Sequence, residues 1–436
     1  MISKIISLLK TKFAKNAIWI IGGKVFQMAL SFFISIITAR YLGPSNYGII
    51  NYVDSFIVFF TPLCTLGIEN VIVKELVHKP DEQGKTLGSS MVLQVASSLC
   101  SIGGIVLIVG FMNKWDKTYL LIALLYSLGL FFKCFEIVQY WYQSKLMSKV
   151  SSTAGIIAYT CMSVYRVFLL ATQKSIEWFA FSTTVDAIVL SALLFFCYKR
   201  DHGPEFRFSW SRGRQILKSS YHFIISGMMV AVYWQFDKIM LKHMIDEASV
   251  GYYATATKLC TIWAFFLVAI IDSVRPHLFE IYKTDEKKFE KETVFLYSAI
   301  IYISFAVSIL FCIFAPIVVK FMYGEEYMQS VPILRVVTWS TAFSYLGTSR
   351  SIWILSKGLE KYEKYMAIVG IVCNVVLNLL LIPLCGAVGA AIATLITQVF
   401  VNYIIMFLIK DLRPNGKMIT DAFLIFRQIK KTNKKS

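Results

Sequence analysis

The sequence predicts an all-α polytopic membrane protein with about twelve transmembrane helices in two pseudo-symmetric six-helix bundles. Three observations carry that prediction. Of the 436 residues, 57% are hydrophobic and 16% charged, and the mean hydropathy is +0.63; soluble domains hold about 45–50% apolar and about 25% charged residues. Apolar runs close to the ~20 residues of a bilayer span recur from one end of the chain to the other. Lysine and arginine, finally, are distributed unevenly between alternate connections, as membrane topology requires.

Taken in order, the runs lie at 15–39, 46–68, 88–111, 118–138, 151–172 and 176–198 in the first half. The second half repeats the pattern at 218–241, 249–273, 293–314, 330–355, 362–384 and 386–409. The first run follows Lys4, Lys10, Lys12 and Lys15, as the apolar part of a signal peptide would. It is too long for that role, contains Lys24 and Gln27, and lacks a small-residue cleavage site, so it is read as a retained helix. The organisation that follows is a six-helix bundle over 1–200, a basic linker at 201–217, a second bundle over 218–410 and a basic tail at 411–436. From Lys410 onward the chain carries eight basic residues, and its two readings are a segment lying along the anionic inner leaflet or a solvated tail.

With the N-terminus inside, the inward segments hold 31 of the 44 basic residues and the outward loops hold 6. This bias sets both termini in the cytoplasm and accounts for most of the net charge of +18 without a nucleic-acid partner. The nine cysteines sit in or beside apolar runs with no CxxC pair, which reads as inert thiols. The five histidines are scattered, and neither HExxH nor GxxxxGK[ST] occurs. No metal, cofactor or catalytic constellation is therefore expected.

Shifting the chain by 203 residues sets Gly48 of YGIINYVDSF on Gly251 of GYYATATKLC, and the segment from Asn16 on that from Ser219. An even number of spans separates the copies. The repeat is therefore parallel, with its axis along the membrane normal, an arrangement that carries a site between halves and alternates its exposure.

Charges inside the spans are the candidate site, because a charge at a helix centre costs about 2.5–3.5 kcal/mol and needs water or a partner. The cations considered for substrate are Lys24, Arg166, Lys258 and Arg335; the acids considered for coupling or ion pairing are Asp54, Asp186 and Asp237. Each has a simpler reading. Lys133 and Glu136, three apart, are expected to pair, Asp186 can pair with Arg166, and Lys238 and Arg350 can snorkel to an interface. Lys24 and Lys258 have no same-helix acid within four residues, and no acid precedes Asp54, so the first helix offers positive charge alone. That suits an anionic substrate.

Three stretches resemble one family: NAIWIIGGKVFQMALSFFISIITARYLGPSNYG with LCTLGIENVIVKEL, VGYYATATKL, and CNVVLNLLLIPLCGAVGAAIATLITQ. Together they are similar to the Wzx-type polysaccharide-export flippases of the MATE-like superfamily, over nearly the whole chain, with ARYLGPSNYG the most specific part. The resemblance implies transfer of an undecaprenyl-pyrophosphate-linked oligosaccharide across the bacterial cytoplasmic membrane, by alternating access around a cationic cavity, for O-antigen, capsule or exopolysaccharide. It implies membrane lipids as surroundings and a polysaccharide polymerase and chain-length regulator as partners. Lys24 lies within the matching first-helix motif, whereas Arg166, Lys258 and Arg335 match only as cations within spans. The alternatives are a multidrug exporter of the same superfamily, which would carry an acid in the first helix, a lipid II flippase, which would show several arginines in the central cavity and often extra helices, and a membrane polysaccharide polymerase, which would need a large outward loop.

The charge asymmetry is testable. In a cysteine-free background, cysteines at Asn113 and Ser175 should react with an impermeant thiol reagent from outside, and cysteines at Ser209 and Thr284 should not. The reverse pattern contradicts the topology.

Overall fold

The structure, a computed structural model, describes residues 12–424; Lys4, Lys10 and the tail from 425 on, which entered the charge count, lie outside the described residues. Its regular structure is helical throughout. Lys12–Thr65 is broken at Gly43, whose φ of 72° strains any residue bearing a side chain, and so forms α1 (12–42) and α2 (44–65). There follow α3 (Glu69–His78), α4 (Gln83–Met112), α5 (Lys117–Lys133), a 3-10 turn (Cys134–Ile137), α6 (Val138–Ser144), α7 (Ser148–Ala171) and α8 (Ile176–Arg200). Beyond them lie α9 (Trp210–Met244), α10 (Glu247–Thr284), α11 (Glu286–Tyr323) and α12 (Ser330–Ser356). Lys361–Val399 breaks at Gly386, φ 62°, into α13 (361–385) and α14 (387–408), the latter containing a π turn at Phe400–Ile404. Last comes α15 (Arg413–Phe423).

Nine helical stretches among the described residues are long and apolar enough to cross a membrane. Two of these are the bent pairs α1–α2 and α13–α14, and α12, 27 residues long and richer in Ser and Thr, completes twelve spans. Acids in the connections cap the helices that follow. Asp116 accepts from the Thr118 amide at 2.9 Å, Asp246 from Ser249 at 2.8 Å and Asp285 from Lys288 at 2.9 Å, pairing first-turn N–H groups that the helix leaves open.

By internal contacts the described chain divides into two compact units. One runs to Leu42 and resumes over Ile49–Gln235; the other takes Gly43–Gly48 and continues from Phe236. The division falls inside α9 because the first part of α9 is wedged into the first unit. A Cβ on Gly67 would meet the Phe223 Cβ at 2.8 Å, and one on Gly227 would meet Pro62 at 2.8 Å. The basic linker is likewise ordered. The Arg207 amide donates to the Gly84 carbonyl at 3.1 Å, the Ser209 amide to Ser89 Oγ at 2.9 Å, and buried Arg212 pairs with Glu75 at 2.7 Å. Trp141, Tyr142, Tyr198 and Leu87 form the core beneath it. At the corner after α8, Arg200 beside Asp201 holds that carboxyl below the usual carboxylate range, and the Tyr142 hydroxyl donates to Asp201 at 3.0 Å.

In the second unit, α10, α11, α12, α14 and α15 share one core. The described part of the tail, α15, is thus packed into this core and not solvated. Met418, Ile419 and Ala422 gather on one face of α15 and are buried, Asn415 donates to the Tyr297 hydroxyl at 2.9 Å, and Ser298 donates to the Ala422 carbonyl at 3.1 Å. An amphipathic face with a partner helix at hand is buried against it.

The first turn of α2 also packs in this unit, backbone against backbone, on the start of α10. A Cβ on Gly48 would lie 1.8 Å from the Glu247 carbonyl oxygen, and one on Gly251 2.2 Å from that of Pro44. The shift of 203 that maps Gly48 on Gly251 also maps Pro44 on Glu247, so the contact is reciprocal, as in a local two-fold. This explains why the ARYLGPSNYG stretch is so particular.

Gly48→Ala and Gly251→Ala should each lower stability by at least about 1–3 kcal/mol, the usual cost of overpacking. Gly103→Ala, with nothing within 4 Å of the added Cβ, should be silent. Thermal unfolding in detergent distinguishes them, and equal melting temperatures for all three would contradict the contact.

Candidate functional site

The site begins with a close packing of α1 on α7. Asn16, Gly23 and Gln27 fall on one face of α1, and Ser148, Ser152 and Gly155 on one face of α7, by the helical period. Asn16 Oδ1 accepts the Ser148 amide at 2.7 Å, pairing an open N–H of the first turn of α7. A Cβ on Gly23 would sit 3.3 Å from the Ser152 Cβ, and one on Gly155 2.6 Å from Gln27 Nε2. Small residues here let the helices approach and leave Gln27 lying on bare backbone.

Beside this contact lies a cavity of about 430 Å³, walled by Lys24 and Gln27 of α1, Glu136 of the 3-10 turn, Gln139, Tyr140 and Gln143 of α6, and Ser151 and Ser152 of α7. Its size is within the ~300–1,000 Å³ of small-ligand pockets. Lys24 is exposed and makes no hydrogen bond or ion pair among the described residues. It stands six residues, roughly 9 Å at 1.5 Å per residue, past Ile18, where the apolar stretch opens.

Of the cations singled out from the sequence, Lys24 is the one that stands on this cavity's wall, joined there by Glu136. The Lys133–Glu136 ion pair expected from their spacing does not form among the described residues: α5 ends at Lys133, and the 3-10 turn places Glu136 on the cavity wall. Nor does Asp186 pair with Arg166. The guanidinium is taken by hydroxyls one turn earlier on α8, Nε donating to Ser182 Oγ at 2.7 Å and Nη2 to Thr183 Oγ1 at 3.4 Å. Asp54 accepts from the Tyr126 hydroxyl at 2.9 Å.

In the second unit, Lys258 is half-buried on α10. Arg335 Nε donates to the Cys312 carbonyl at 3.0 Å. Pro316 of α11 has no N–H to give that carbonyl, so Arg335 takes the place of the missing backbone bond. Arg350, expected to snorkel, is 6% exposed and donates to the Val401 carbonyl at 3.1 Å, within the π turn of α14 where the regular ladder is interrupted.

Asp237 has the most enclosed environment of the three acids, at 4% exposure. Tyr253 donates to it at 2.6 Å, Asn378 at 2.6 Å and Thr394 at 2.8 Å, and Asn378 also donates to Asn374 at 3.0 Å. No cation lies within ion-pair distance of it among the described residues. A search for charges alone overlooks these amides and those of the Lys24 cavity. Their signal was the spacing of four between Asn374 and Asn378, and between Gln139 and Gln143, in otherwise apolar helices. Among the described residues no cluster of His, Cys, Asp and Glu could hold a metal.

Comparison with known proteins agrees with this architecture. A family model described as "Polysaccharide biosynthesis protein" matches residues 13–282. The chain is 23% identical over 426 residues, 92% of its length and 99% of the relative's, to an uncharacterized membrane protein, MJ1375, of Methanocaldococcus jannaschii. It is 26% identical over 163 residues, 37% of its length and 41% of the relative's, to the capsular polysaccharide biosynthesis protein CapF of Staphylococcus aureus. Among solved structures it is similar to an inward-facing multidrug resistance MATE family transporter of the MOP superfamily, with TM-score 0.72, 15% identity and coverage of 90% and 96% of the two chains. It is equally similar to the lipid II flippase MurJ in an inward closed conformation, with TM-score 0.72, 15% identity and coverage of 94% and 93%. At that identity the structural likeness speaks for the fold.

Proposed function

We propose a flippase activity for this chain, which belongs to the polysaccharide biosynthesis protein family and has the fold of MATE and MurJ transporters. It carries an undecaprenyl-pyrophosphate-linked oligosaccharide from the inner to the outer leaflet of the bacterial cytoplasmic membrane by alternating access, with both termini on the cytoplasmic side. The observation that supports this most is Lys24, an ammonium without an ion-pair partner among the described residues, on the wall of a polar cavity. A compact cation can be approached by a phosphate from many directions, which suits a site that must also let go. Away from bulk water the attraction strengthens, while desolvation of the lysine offsets part of it.

The alternatives fit less well. A polymerase would need a substantial outward loop, and the connections at 113–116, 172–175 and 324–329 are short. A multidrug exporter would need an acid on α1, and no acid precedes Asp54. Coupling falls to Asp237: a buried carboxylate held by neutral donors changes charge by taking up a proton or a small cation, and that change can be tied to movement.

At matched protein level in a flippase-deficient host, Lys24→Ala should cut surface polysaccharide several-fold, Lys24→Arg should keep part of it, and Lys24→Glu should be lowest. Asp237→Asn should also reduce export while leaving membrane insertion intact. Near-normal export by Lys24→Ala would remove the site, and near-normal export by Asp237→Asn would remove the coupling role.

A further inference from the structure

The cavity beside Lys24 is more than a cationic pocket. Its wall carries one carboxylate, Glu136, and three primary amides, Gln27, Gln139 and Gln143. Glu136 makes no ion pair among the described residues, and its charged neighbours are one cation, Lys133, and two acids, Asp186 and Glu69. A diphosphate offers acceptors only, so Lys24 and the amide N–H groups serve it while Glu136 repels it. A sugar hydroxyl differs: it donates to a carboxylate and accepts from an amide, so a carboxylate next to amides is a set of partners for a polyhydroxylated ring. An acetamido substituent finds the same complement.

Volume limits how much of a ligand can enter. About 430 Å³ is the liquid volume of about fourteen waters at ~30 Å³ each, which is room for a sugar with its phosphate.

Resting on the flippase reading, we infer that this cavity recognises the first sugar beside the diphosphate, that this sugar is uncharged, and that Glu136 excludes an acidic sugar from that position. Lys24 holds the phosphate, the amides and Glu136 read the ring, and like-charge repulsion supplies the discrimination that attraction alone does not give.

The test uses purified full-length protein in detergent at about pH 8. It is titrated with inorganic phosphate, N-acetylglucosamine 1-phosphate and glucuronic acid 1-phosphate. The neutral sugar phosphate should bind at least ~10-fold more tightly than the acidic one, in keeping with the cost of apposed like charges, and more tightly than phosphate alone. Glu136→Gln should shrink the preference to about 3-fold or less, mainly by tightening the acidic ligand, while Glu136→Asp keeps it; unfolding temperatures near wild type show that both variants fold. Equal binding of the two sugar phosphates by wild type, or an unchanged preference in Glu136→Gln, overturns the inference. If neither sugar adds to phosphate but Lys24→Ala still weakens phosphate, the sugar inference falls and the flippase reading stands. If no phosphate ligand binds and Lys24→Ala exports normally, the flippase reading itself falls.

Discussion

A peptide group left unpaired in hydrocarbon costs several kcal/mol, and this chain interrupts its helices within the membrane more than once. Two of the interruptions are met by an arginine side chain. Pro316 leaves the Cys312 carbonyl without its usual donor, and Arg335 supplies one. The π turn at Phe400–Ile404 disturbs the ladder of α14, and Arg350 donates into it. These arginines are thereby committed to the backbone. The breaks at Gly43 and Gly386 instead use glycine's freedom at positive φ to turn one span into the next.

What remains for a ligand follows from that accounting. In the first unit, the Arg166 guanidinium is engaged by two hydroxyls, whereas Lys24 stands beside a cavity without such a claim among the described residues. The cavity owes its shape to small residues: Gly23 and Gly155 let α1 and α7 close on each other, and the 3-10 turn after α5 brings Glu136 to the wall. The lining brings Lys24, Glu136 and three glutamine amides to one surface, as a polar guest would need.

The helical class and about twelve spans were legible because hydropathy and charge act over whole segments and dominate any local detail. The ends were not: α9 starts eight residues before its predicted run, and α10 and α11 end eleven and nine residues past theirs. The contact between Gly48 and Gly251 was half legible: the repeat aligned them, while their meeting depends on folding. Pairings inside spans were legible least. Lys133 and Glu136 have helical spacing, but the helix changes type between them. Arg350 lies near one end of its span by sequence, but a carbonyl in a π turn competes for it. The tail that carries α15 read as charged because of its eight basic residues, yet Met418, Ile419 and Ala422 share a face and are buried. Amides such as Gln139 and Asn378 carried no charge to draw attention, and only the assembled helices show what they adjoin.

The central claim is that the cavity beside Lys24 takes the phosphate end of a lipid-linked saccharide. A photoreactive residue at Ser151, on the cavity wall, tests this against one at Val164, which is on the same helix but 64% exposed on its outer surface. Illumination with a radiolabelled polyprenyl-diphosphate sugar in proteoliposomes should label the protein through position 151 and leave position 164 near background. Equal labelling at both positions, or labelling at 164 alone, would contradict the claim.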